Sequence, residues 1–335
     1  MNKIRIGIIC PSEIALRRFM PALKKSKDYE YIGVAYPTVE DWNGASEANI
    51  QAEVEKAEVF KNTYGGKVFA GYKTIIESEE VDAIYLPLPP ALHFNWAKLA
   101  LERGKHVFVE KPSTTCLKDT LELVKIAKEK NLALHENYMF QYHKQIDIIK
   151  QLLDSKKVGD VRLIRANFGF PKRAENDFRY NKALGGGALL DCGGYPLRLM
   201  RVLLGSNIKV DAANLFFNEN HVDIYGSAHL STDKQVAQIS FGMDNAYKCN
   251  IEIWGSKGTI TTDRVFTAPE GFEVDIKINT TEGNEIIHVG GDDSFLKSLN
   301  VFAQCVNNDE IRLAEYDELI NQIQLVKKVE ELGGK

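Results

Sequence analysis

Lys111, Asp191 and Tyr195 are polar residues whose local sequences favour proton-transfer chemistry. Lys111 follows the apolar run of "HVFVEKPSTT", which is typical of a buried parallel strand. Ligands of open α/β sheets bind beyond the carboxyl ends of such strands, and a lysine there can donate a proton or a hydrogen bond to a carbonyl group. The alternative is a solvated lysine that pairs with Glu110 at the end of a strand.

The segment "GGGALLDCGGYPLRLM" carries the other two residues and conflicts with the rules of helix formation. Gly193, Gly194 and Pro196 all oppose a helix, and a conflict of this kind is often associated with a functional site. In a helical register Asp191 and Tyr195 are four residues apart and share a face. A tyrosine hydroxyl beside a carboxylate and a lysine can serve as a proton donor. The alternative is a tyrosine packed in a kinked structural helix.

The loop sequence "CPSEIA" follows the first apolar segment and has the frame of a dinucleotide-binding turn. The fingerprint of that turn is G-x-G-x-x-G/A; Cys10 and Ser12 replace its first two glycines, whereas Ala15 satisfies the third position. Ser12 can cap the following helix or donate a hydrogen bond to a phosphate. Pro11 removes one N–H, and the charge of Glu13 would lie close to an anionic ligand. A plain strand–turn–helix explains the loop equally well.

The elements that must position these residues alternate between strand and helix over residues 1–135. The predicted strands are Ile4–Ile9, Tyr31–Ala35, Ala83–Leu86, His106–Val109 and Ala133–Glu136. The predicted helices are Ile14–Lys25, Val54–Tyr64, Phe94–Arg103 and Lys118–Lys130. Repeated strand–helix units predict a doubly wound parallel sheet, which indicates an α/β nucleotide-binding domain. The acidic segment at 37–55 is predicted to be a solvated surface loop, and the alternative places it over the ribose of a cofactor.

After residue 150 the pattern changes to a succession of strand-like segments separated by turn signals such as "GSKG" and "TEGN". This pattern predicts a large, mostly antiparallel sheet, and two final helices are predicted near Ser294–Val306 and Tyr316–Glu331. The chain is therefore predicted to contain an α/β domain at residues 1–135 and an α+β domain at residues 136–335.

Composition and charge argue against several classes of protein. The 335 residues carry 42 Lys and Arg against 46 Asp and Glu, and this balance gives no electrostatic footprint for nucleic acid or an anionic membrane. No apolar run is long enough for a membrane span, and the start of the chain lacks the apolar core of a signal peptide. The five cysteines are widely spaced and the histidines are scattered, so we predict no metal site and a reduced, cytoplasmic location.

Taken together, the motifs resemble those of the Gfo/Idh/MocA family, named after glucose–fructose oxidoreductase, inositol dehydrogenase and MocA. The matching pieces are the strand–turn–helix start, "EKP" and "GGGALLDCGGYPL". The resemblance implies a Rossmann domain followed by an open-faced sheet that often forms an oligomer interface. It also implies NAD(P)-dependent oxidation or reduction of a sugar-like alcohol or ketone. Lys111 matches the family lysine and Asp191 its carboxylate, while Tyr195 stands where many members have a catalytic histidine.

Further segments, "YLPLPPALH", "ENYMFQYHKQ", "DFRY" and "FGMDNAYKCNIEIWGSKGTITTDRVFTAP", resemble the 3-ketoreductases of nucleotide-linked deoxysugar pathways. In that group the lysine and the tyrosine flank the keto group, and hydride comes from NADPH. The resemblance therefore favours NADP(H), with NAD(H) as the alternative. The second strand ends in "AYPT", without the acidic residue or arginine that would decide between the coenzymes. The implied partners are a sugar or nucleotide sugar and further copies of the chain, as a dimer or tetramer.

The resemblance assigns roles to particular residues. Catalysis is assigned to Lys111, Asp191 and Tyr195. Substrate binding is assigned to Lys111, Tyr138, Arg179, Asp191 and Tyr195. Cofactor binding is assigned to Cys10, Pro11, Ser12, Glu13, Ile14, Tyr36, Thr38, Leu86, Pro87, Leu88, His93, Glu110, Lys111 and Asn137.

Three functions are compatible with the sequence. The first is a reductase of a nucleotide-linked 3-keto sugar, in which Tyr195 supplies the proton and Lys111 polarises the carbonyl group. The second keeps the chemistry but acts on a free sugar, inositol or another cyclic alcohol. The third is a binding or scaffold protein without turnover, and the loss of glycine at Cys10 and Ser12 is the reason for considering it.

Overall fold

The computed structural model describes residues 3–334, and these form two compact units. The first unit contains the chain up to Asn137 together with Phe295–Ile320, and the second contains Tyr138–Ser294 together with the chain from Asn321 onward. The predicted boundary between residues 135 and 136 did not anticipate that the segment at 295–320 lies with the first unit. Tyr316 and Leu319 belong to the hydrophobic core of that unit, which is a long-range contact that local sequence patterns do not reveal. The boundary between independent domains stays a prediction.

The first unit is built on a sheet of six parallel strands. The strands are β1 Ile4–Ile9, β2 Tyr29–Tyr36, β3 Lys67–Ala70, β4 Ala83–Leu86, β5 His106–Val109 and β6 Leu134–Glu136. Their order across the sheet is β3-β2-β1-β4-β5-β6, so the direction of strand addition reverses between β1 and β4. This confirms the predicted doubly wound α/β class. Strands β1, β4 and β5 are almost wholly buried, which explains their continuous apolar runs.

Five α-helices connect these strands. They are α1 Met20–Lys25, α2 Glu47–Tyr64, α3 Tyr72–Glu77, α4 Pro90–Glu102 and α5 Leu117–Lys130. A wide π-helical turn at Ala15–Phe19 precedes α1, so the predicted first helix is present with an irregular first half. Strand β3 and helix α3 were not predicted, because both are short and β3 has no fully buried residue.

The prediction of a surface loop at 37–55 is wrong over its second half, because α2 begins at Glu47. Ser46 caps this helix: its side chain accepts a hydrogen bond from the backbone of Asn49, and the Asn49 side chain accepts one from the backbone of Ser46. Only Ala57 and Phe60 are buried along α2, so its first turns carry no apolar periodicity. The capping pair, together with Glu47 in the first turn, was the signal for its start.

The second unit contains a sheet of eight strands. The strands are β7 Val161–Gly169, β8 Lys209–Phe217, β9 Asp223–Ser231, β10 Val236–Gly242, β11 Lys248–Gly255, β12 Gly258–Asp263, β13 Val274–Thr280 and β14 Gly283–Val289. Their order is β14-β13-β12-β11-β7-β10-β9-β8, and every neighbouring pair is antiparallel except β7 and β10. The predicted large, mostly antiparallel sheet is confirmed.

The remaining helices are α6 Lys144–Asp154, α7 Gly194–Leu204, α8 Ser294–Asn307 and α9 Asp309–Gly333, and short 3₁₀ turns lie at Met139–Tyr142, Phe178–Tyr180 and Lys182–Leu184. Helix α7 packs against β7 and β10. Along β7, buried Ile164 and Ala166 alternate with more exposed neighbours, so one face of the sheet is buried and the other faces outward. Within residues 3–334, no helix has both the length and the apolar character needed to cross a bilayer.

Candidate active site

The loop after β1 keeps the conformation of a glycine-rich turn although its glycines are replaced. Cys10 has a φ angle of 74°, in the left-handed region that glycine enters easily and other residues rarely adopt. Ser12 occupies the second glycine position, and its side-chain oxygen accepts a hydrogen bond of 3.2 Å from the Ala15 backbone N–H. This is the helix cap that the sequence allowed for Ser12. The backbone of the turn is therefore preserved at the expense of an unfavourable conformation at Cys10.

The side chains of this loop add little negative charge. Burial raises the pKa of Cys10 to about 12, so its thiol is neutral at physiological pH. Glu13 and Ile14 begin the helix after the turn. The Glu13 carboxylate lies 3.3 Å from Nε of Arg17, which offsets part of the charge that would oppose an anionic ligand.

The loop after β2 contains an acidic residue that the sequence analysis did not identify. Tyr36 ends β2 and Thr38 follows it. Oδ2 of Asp41 accepts hydrogen bonds from the Thr38 backbone at 2.9 Å, from the Thr38 hydroxyl at 3.1 Å and from the Tyr72 backbone at 3.1 Å. Asp41 therefore ties the loop after β2 to the start of α3. The T-x-x-D spacing of Thr38 and Asp41 is the signal that could have revealed this turn.

The loops after β4 and β5 are joined by His93. This residue of α4 is fully buried; its Nδ1 lies 2.8 Å from the Pro112 carbonyl oxygen and its Nε2 lies 2.7 Å from that of Leu88. Leu86 ends β4, and Pro87 and Leu88 follow it. The predicted cofactor residues of β4 are thus held next to the loop that follows Lys111.

Glu110 and Lys111 directly follow β5. Oε1 of Glu110 accepts hydrogen bonds from the Tyr85 hydroxyl at 2.8 Å and from Nδ2 of Asn137 at 2.7 Å. Burial raises the pKa of Glu110, and these two hydrogen bonds together with the charge of Lys111 act in the opposite direction. Lys111 is partly exposed, and its peptide bond to Pro112 is cis. Lys111 lies where ligands of this fold bind, beside a carboxylate that two other side chains hold in place.

The geometry of the first unit fits a nicotinamide dinucleotide. Dinucleotides bind to doubly wound sheets in the crevice where the strand order reverses, which here lies between the carboxyl ends of β1 and β4. A left-handed turn that leads into a helix, as at Cys10, lets backbone N–H groups approach a pyrophosphate. The individual contacts of the predicted cofactor residues stay predictions.

In the second unit, Asp191 is paired with Arg179. Nε of Arg179 lies 2.7 Å from Oδ2 of Asp191, and the same guanidinium contacts the Asp177 carboxylate at 3.1 Å. Burial lowers the pKa of Arg179, but the two carboxylates more than offset that effect and raise it. The sequence assigned both Asp191 and Arg179 to substrate binding but did not predict that they bind each other. Asp191 is thus not an isolated carboxylate but part of a cluster in which one guanidinium is shared between two carboxylates.

Tyr195 is packed among aromatic rings. Its ring lies 5.2 Å from that of Tyr138 and 5.0 Å from that of Phe168, both in edge-to-face arrangements, and the residue is 7% exposed. The two preceding glycines make this packing possible. A Cβ atom on Gly194 would lie 2.1 Å from the Tyr138 hydroxyl, and one on Gly193 would lie 3.1 Å from the ring of Phe241. The conflict with helix formation is therefore explained by the close approach of two aromatic side chains.

The helix around Asp191 is irregular. Leu189–Gly193 forms a π-helical turn, and the α-helical register begins at Gly194. Asp191 lies in the wide turn and Tyr195 in α7, so the four-residue spacing does not belong to one regular helix. That their side chains share a face stays a prediction. Wide turns of this kind are frequent at functional sites.

Two family models match the chain. Residues 4–138 match the model described as "Oxidoreductase family, NAD-binding Rossmann fold", and residues 146–261 match "GFO/IDH/MocA C-terminal domain". The chain therefore belongs to the Gfo/Idh/MocA family of oxidoreductases, as its motifs predicted.

Several known proteins are similar to this chain over nearly its whole length. The dTDP-3,4-didehydro-2,6-dideoxy-α-D-glucose 3-reductase of Streptomyces violaceoruber is 38% identical over 309 residues, which cover 91% of this chain and 86% of that enzyme. An enzyme of the same name from Actinomadura kijaniata is 35% identical over 98% of this chain and 95% of its own. A solved structure of a 3-ketoreductase from Actinomadura kijaniata, in complex with NADP and TDP-benzene, has a TM-score of 0.91 and 34% identity over 99% of this chain and 98% of that one.

Proposed function

We propose that the protein uses NADPH to reduce a keto group on a nucleotide-linked sugar, and that this sugar is a 3-keto deoxysugar. Within the chain, the observation that carries the proposal is Lys111 at the carboxyl end of β5, beside the hydrogen-bonded carboxylate of Glu110. The relatives support the substrate class, since two of them are 3-reductases of a dTDP-linked sugar and the solved structure holds NADP and TDP-benzene. The predicted cytoplasmic location belongs to the same proposal.

Each predicted catalytic residue has a distinct role in this reaction. NADPH supplies the hydride. Lys111 donates a hydrogen bond to the carbonyl oxygen and stabilises the negative charge that develops there. Tyr195 provides the proton that converts the developing alkoxide to a hydroxyl group. Asp191 orients substrate hydroxyl groups together with Arg179, and the pairing of these two side chains fixes the orientation of the Asp191 carboxylate.

The scaffold alternative rested on the loss of glycine at Cys10 and Ser12. The left-handed conformation of Cys10 weakens the argument for a scaffold protein, because the backbone of the turn is retained.

The free-sugar alternative differs from the proposed function in the size of the substrate, because a free sugar lacks the nucleotide. Comparing the rate of NADPH oxidation with a TDP-linked ketone and with the corresponding free sugar ketone tests the proposal: a preference for the free sugar would overturn the nucleotide-sugar assignment.

The coenzyme loop gives a first prediction. In the double variant Cys10→Gly, Ser12→Gly we expect tighter NADPH binding, because glycine relieves the left-handed residue and lets the backbone approach the pyrophosphate. Thermal-shift titrations with NADPH and NADH measure this, since a ligand that binds only the folded state raises the unfolding temperature. Cys116→Gly is the matched control, because Cys116 has an ordinary extended φ of −150° at the start of α5. No stabilisation of wild type or double variant by either coenzyme would rule out a dinucleotide site.

The outward face of the eight-stranded sheet carries exposed apolar side chains, and we propose that it forms the contact between copies of the chain in a homo-oligomer. The strand register places Val236, Leu163 and Trp254 side by side, and Val236 and Trp254 are 44% and 52% exposed. Phe216 and Tyr225 are also exposed and stack with 4.6 Å between their ring centroids. Outward-facing apolar groups of this kind mark protein contacts.

Light scattering at micromolar concentration is expected to give a dimer or tetramer. Trp254→Glu should shift the protein toward a species of 37.7 kDa, because a buried charge opposes the contact. Trp42→Glu changes a comparably exposed tryptophan outside this sheet and should leave the assembly intact. A wild-type protein that is strictly monomeric would refute the proposed contact.

A further inference from the structure

A line of buried and partly buried hydrogen bonds reaches Glu110 from the interior of the first unit. Nδ2 of Asn137 donates to Glu110 at 2.7 Å, and Oδ1 of Asn137 accepts from the Ser298 hydroxyl at 2.8 Å. The Ser298 oxygen also lies 2.9 Å from Nε2 of His135, and Nδ1 of His135 lies 2.6 Å from the Glu315 carboxylate. We call these five residues the Glu110 relay. The chemistry proposed above assigns no role to Ser298, His135 or Glu315.

Counting donors fixes the direction of every bond in the Glu110 relay. The Glu110 carboxylate accepts from Tyr85 and Asn137, so the Asn137 amide must turn its NH₂ group toward Glu110 and its oxygen toward Ser298. Ser298 has a single hydroxyl proton and donates it to Asn137. The contact between Ser298 and His135 therefore needs a proton on Nε2 of the imidazole.

The opposite side of the His135 ring then holds a further proton. With Nε2 protonated, a neutral imidazole would point its Nδ1 lone pair at the Glu315 carboxylate across 2.6 Å. That arrangement is repulsive, so one proton lies between these atoms, either on the imidazole or on the carboxyl group. The His135–Glu315 pair thus holds two protons, one on Nε2 of His135 and one between Nδ1 and the Glu315 carboxyl group.

The His135–Glu315 pair is enclosed by apolar side chains on the histidine side. His135 is fully buried, and its ring lies 5.0 Å from Phe108 and 6.1 Å from Phe302. Cys305 also faces the pair, and burial raises the pKa of its thiol, so the thiol is neutral. The Arg312 guanidinium lies beside Cys305, with Nη1 3.1 Å from the Cys305 carbonyl oxygen. His135, Cys305 and Glu315 could also be considered as ligands for a metal ion. A tetrahedral ion with bonds of about 2.0 Å would hold the nitrogen and oxygen atoms about 3.3 Å apart, so the 2.6 Å contact indicates a proton instead.

The Glu110 relay orients groups and does not conduct protons, because the amide of Asn137 does not pass a proton from its oxygen side to its nitrogen side. Its effect at Glu110 is to keep the NH₂ group of Asn137 turned toward the carboxylate as a hydrogen-bond donor. If the direction of the bonds were reversed, the Asn137 oxygen would face the Glu110 carboxylate and repel it. The proton on His135 therefore sets the environment of the carboxylate beside Lys111.

We propose that His135 and Ser298 are positioning residues for the reduction: through Asn137 they hold the Glu110 carboxyl group in a fixed orientation beside Lys111. The inference rests on the proposed function for the role of Lys111. Its structural part, the direction of the hydrogen bonds, is independent of the substrate.

Ser298→Ala removes one link of the Glu110 relay without adding a charge. We expect kcat to fall about tenfold while KM changes little, since a hydrogen bond that supports a charged group is lost. The acidic limb of the kcat–pH profile should move to higher pH, because an Asn137 amide that Ser298 no longer anchors donates less firmly to the Glu110 carboxylate, which is then protonated more easily. Ser298→Thr, which keeps the hydroxyl group, should restore both properties.

Tyr29→Phe is the matched control. The Tyr29 hydroxyl donates a buried hydrogen bond of 2.6 Å to the carbonyl of Leu299, the neighbour of Ser298 in α8, and has no part in the Glu110 relay. This variant should lose a comparable amount of stability and keep the wild-type rate and pH profile. If Ser298→Ala and Tyr29→Phe have the same rates and profiles, the positioning role is wrong.

The protonation of the His135 ring nitrogens can be measured by NMR in the absence of substrate. In ¹⁵N-histidine-labelled protein at neutral pH, with His135→Gln used for assignment, we expect Nε2 of His135 to carry a proton. A His135 signal with a bare Nε2 would overturn the bond directions and with them the proposal. If wild type bound NADPH but reduced no sugar ketone, the proposed function would fail, and the ¹⁵N spectrum would still decide whether the Glu110 relay has the direction inferred here.

Discussion

Replacing Lys111 by alanine is expected to lower the rate of ketone reduction by at least about 10³-fold. Two functions are lost together: the hydrogen bond that polarises the carbonyl group, and the positive charge that stabilises the developing alkoxide. A single donor of this kind is worth about 10²–10³-fold in kcat, and the lost charge adds to that loss. Single-turnover reduction with saturating NADPH measures the chemical step.

Lys118→Ala is the control for this experiment. Lys118 lies in the exposed first turn of α5, seven positions along the chain from Lys111, and its removal should leave the rate unchanged. The unfolding temperature of Lys111→Ala should stay close to that of wild type, because the side chain is partly exposed. A Lys111→Ala protein that reduces the ketone at the wild-type rate would remove Lys111 from the mechanism.

Tyr195→Phe is expected to lower turnover by about 10²–10⁴-fold, which is the usual contribution of a positioned general acid. A free tyrosine, with a pKa of about 10, is a weak donor at neutral pH, so the rate depends on how its hydroxyl group is positioned at the developing alkoxide. The substitution keeps the ring, and so the aromatic packing against Tyr138 and Phe168. Folding and coenzyme affinity should therefore change little.

Tyr247→Phe is the corresponding control, since Tyr247 is an exposed tyrosine of the same unit whose hydroxyl contacts Arg264 and Thr267. It should turn over at the wild-type rate. An unchanged rate in Tyr195→Phe would contradict its assignment as proton donor and direct attention to His143 or to water.

The strands nearest the coenzyme crevice were predictable because burial leaves a strong trace in sequence. The ends of β1, β4 and β5 coincide with the predictions, since each is an apolar run enclosed on both faces. Helix α2 was predicted to start too late because its first turns are solvated and only its cap and Glu47 mark the beginning. Burial patterns therefore recover the centre of a sheet better than its periphery.

The candidate site was predictable only to the level of single motifs. Lys111 and Tyr195 stand out in their local sequence, but the pairing of Asp191 with Arg179 spans an irregular loop, and no periodicity predicts it. The hydrogen bonds from His135 to Ser298 and Glu315 join positions more than 160 residues apart. Contacts of that range arise from tertiary folding, so a single sequence carries no direct sign of them.

The central claim is that the protein transfers hydride from NADPH to the keto group of a nucleotide-linked sugar. The most direct test is to incubate the protein with NADPH deuterated at the transferable position of C4 and a TDP-linked 3-keto deoxysugar, and to examine the sugar product by mass spectrometry. We predict a product that has gained one deuterium at the former carbonyl carbon, at a rate that falls when the TDP group is absent. A protein that binds NADPH and leaves the TDP-linked ketone unreduced and unlabelled would contradict the account.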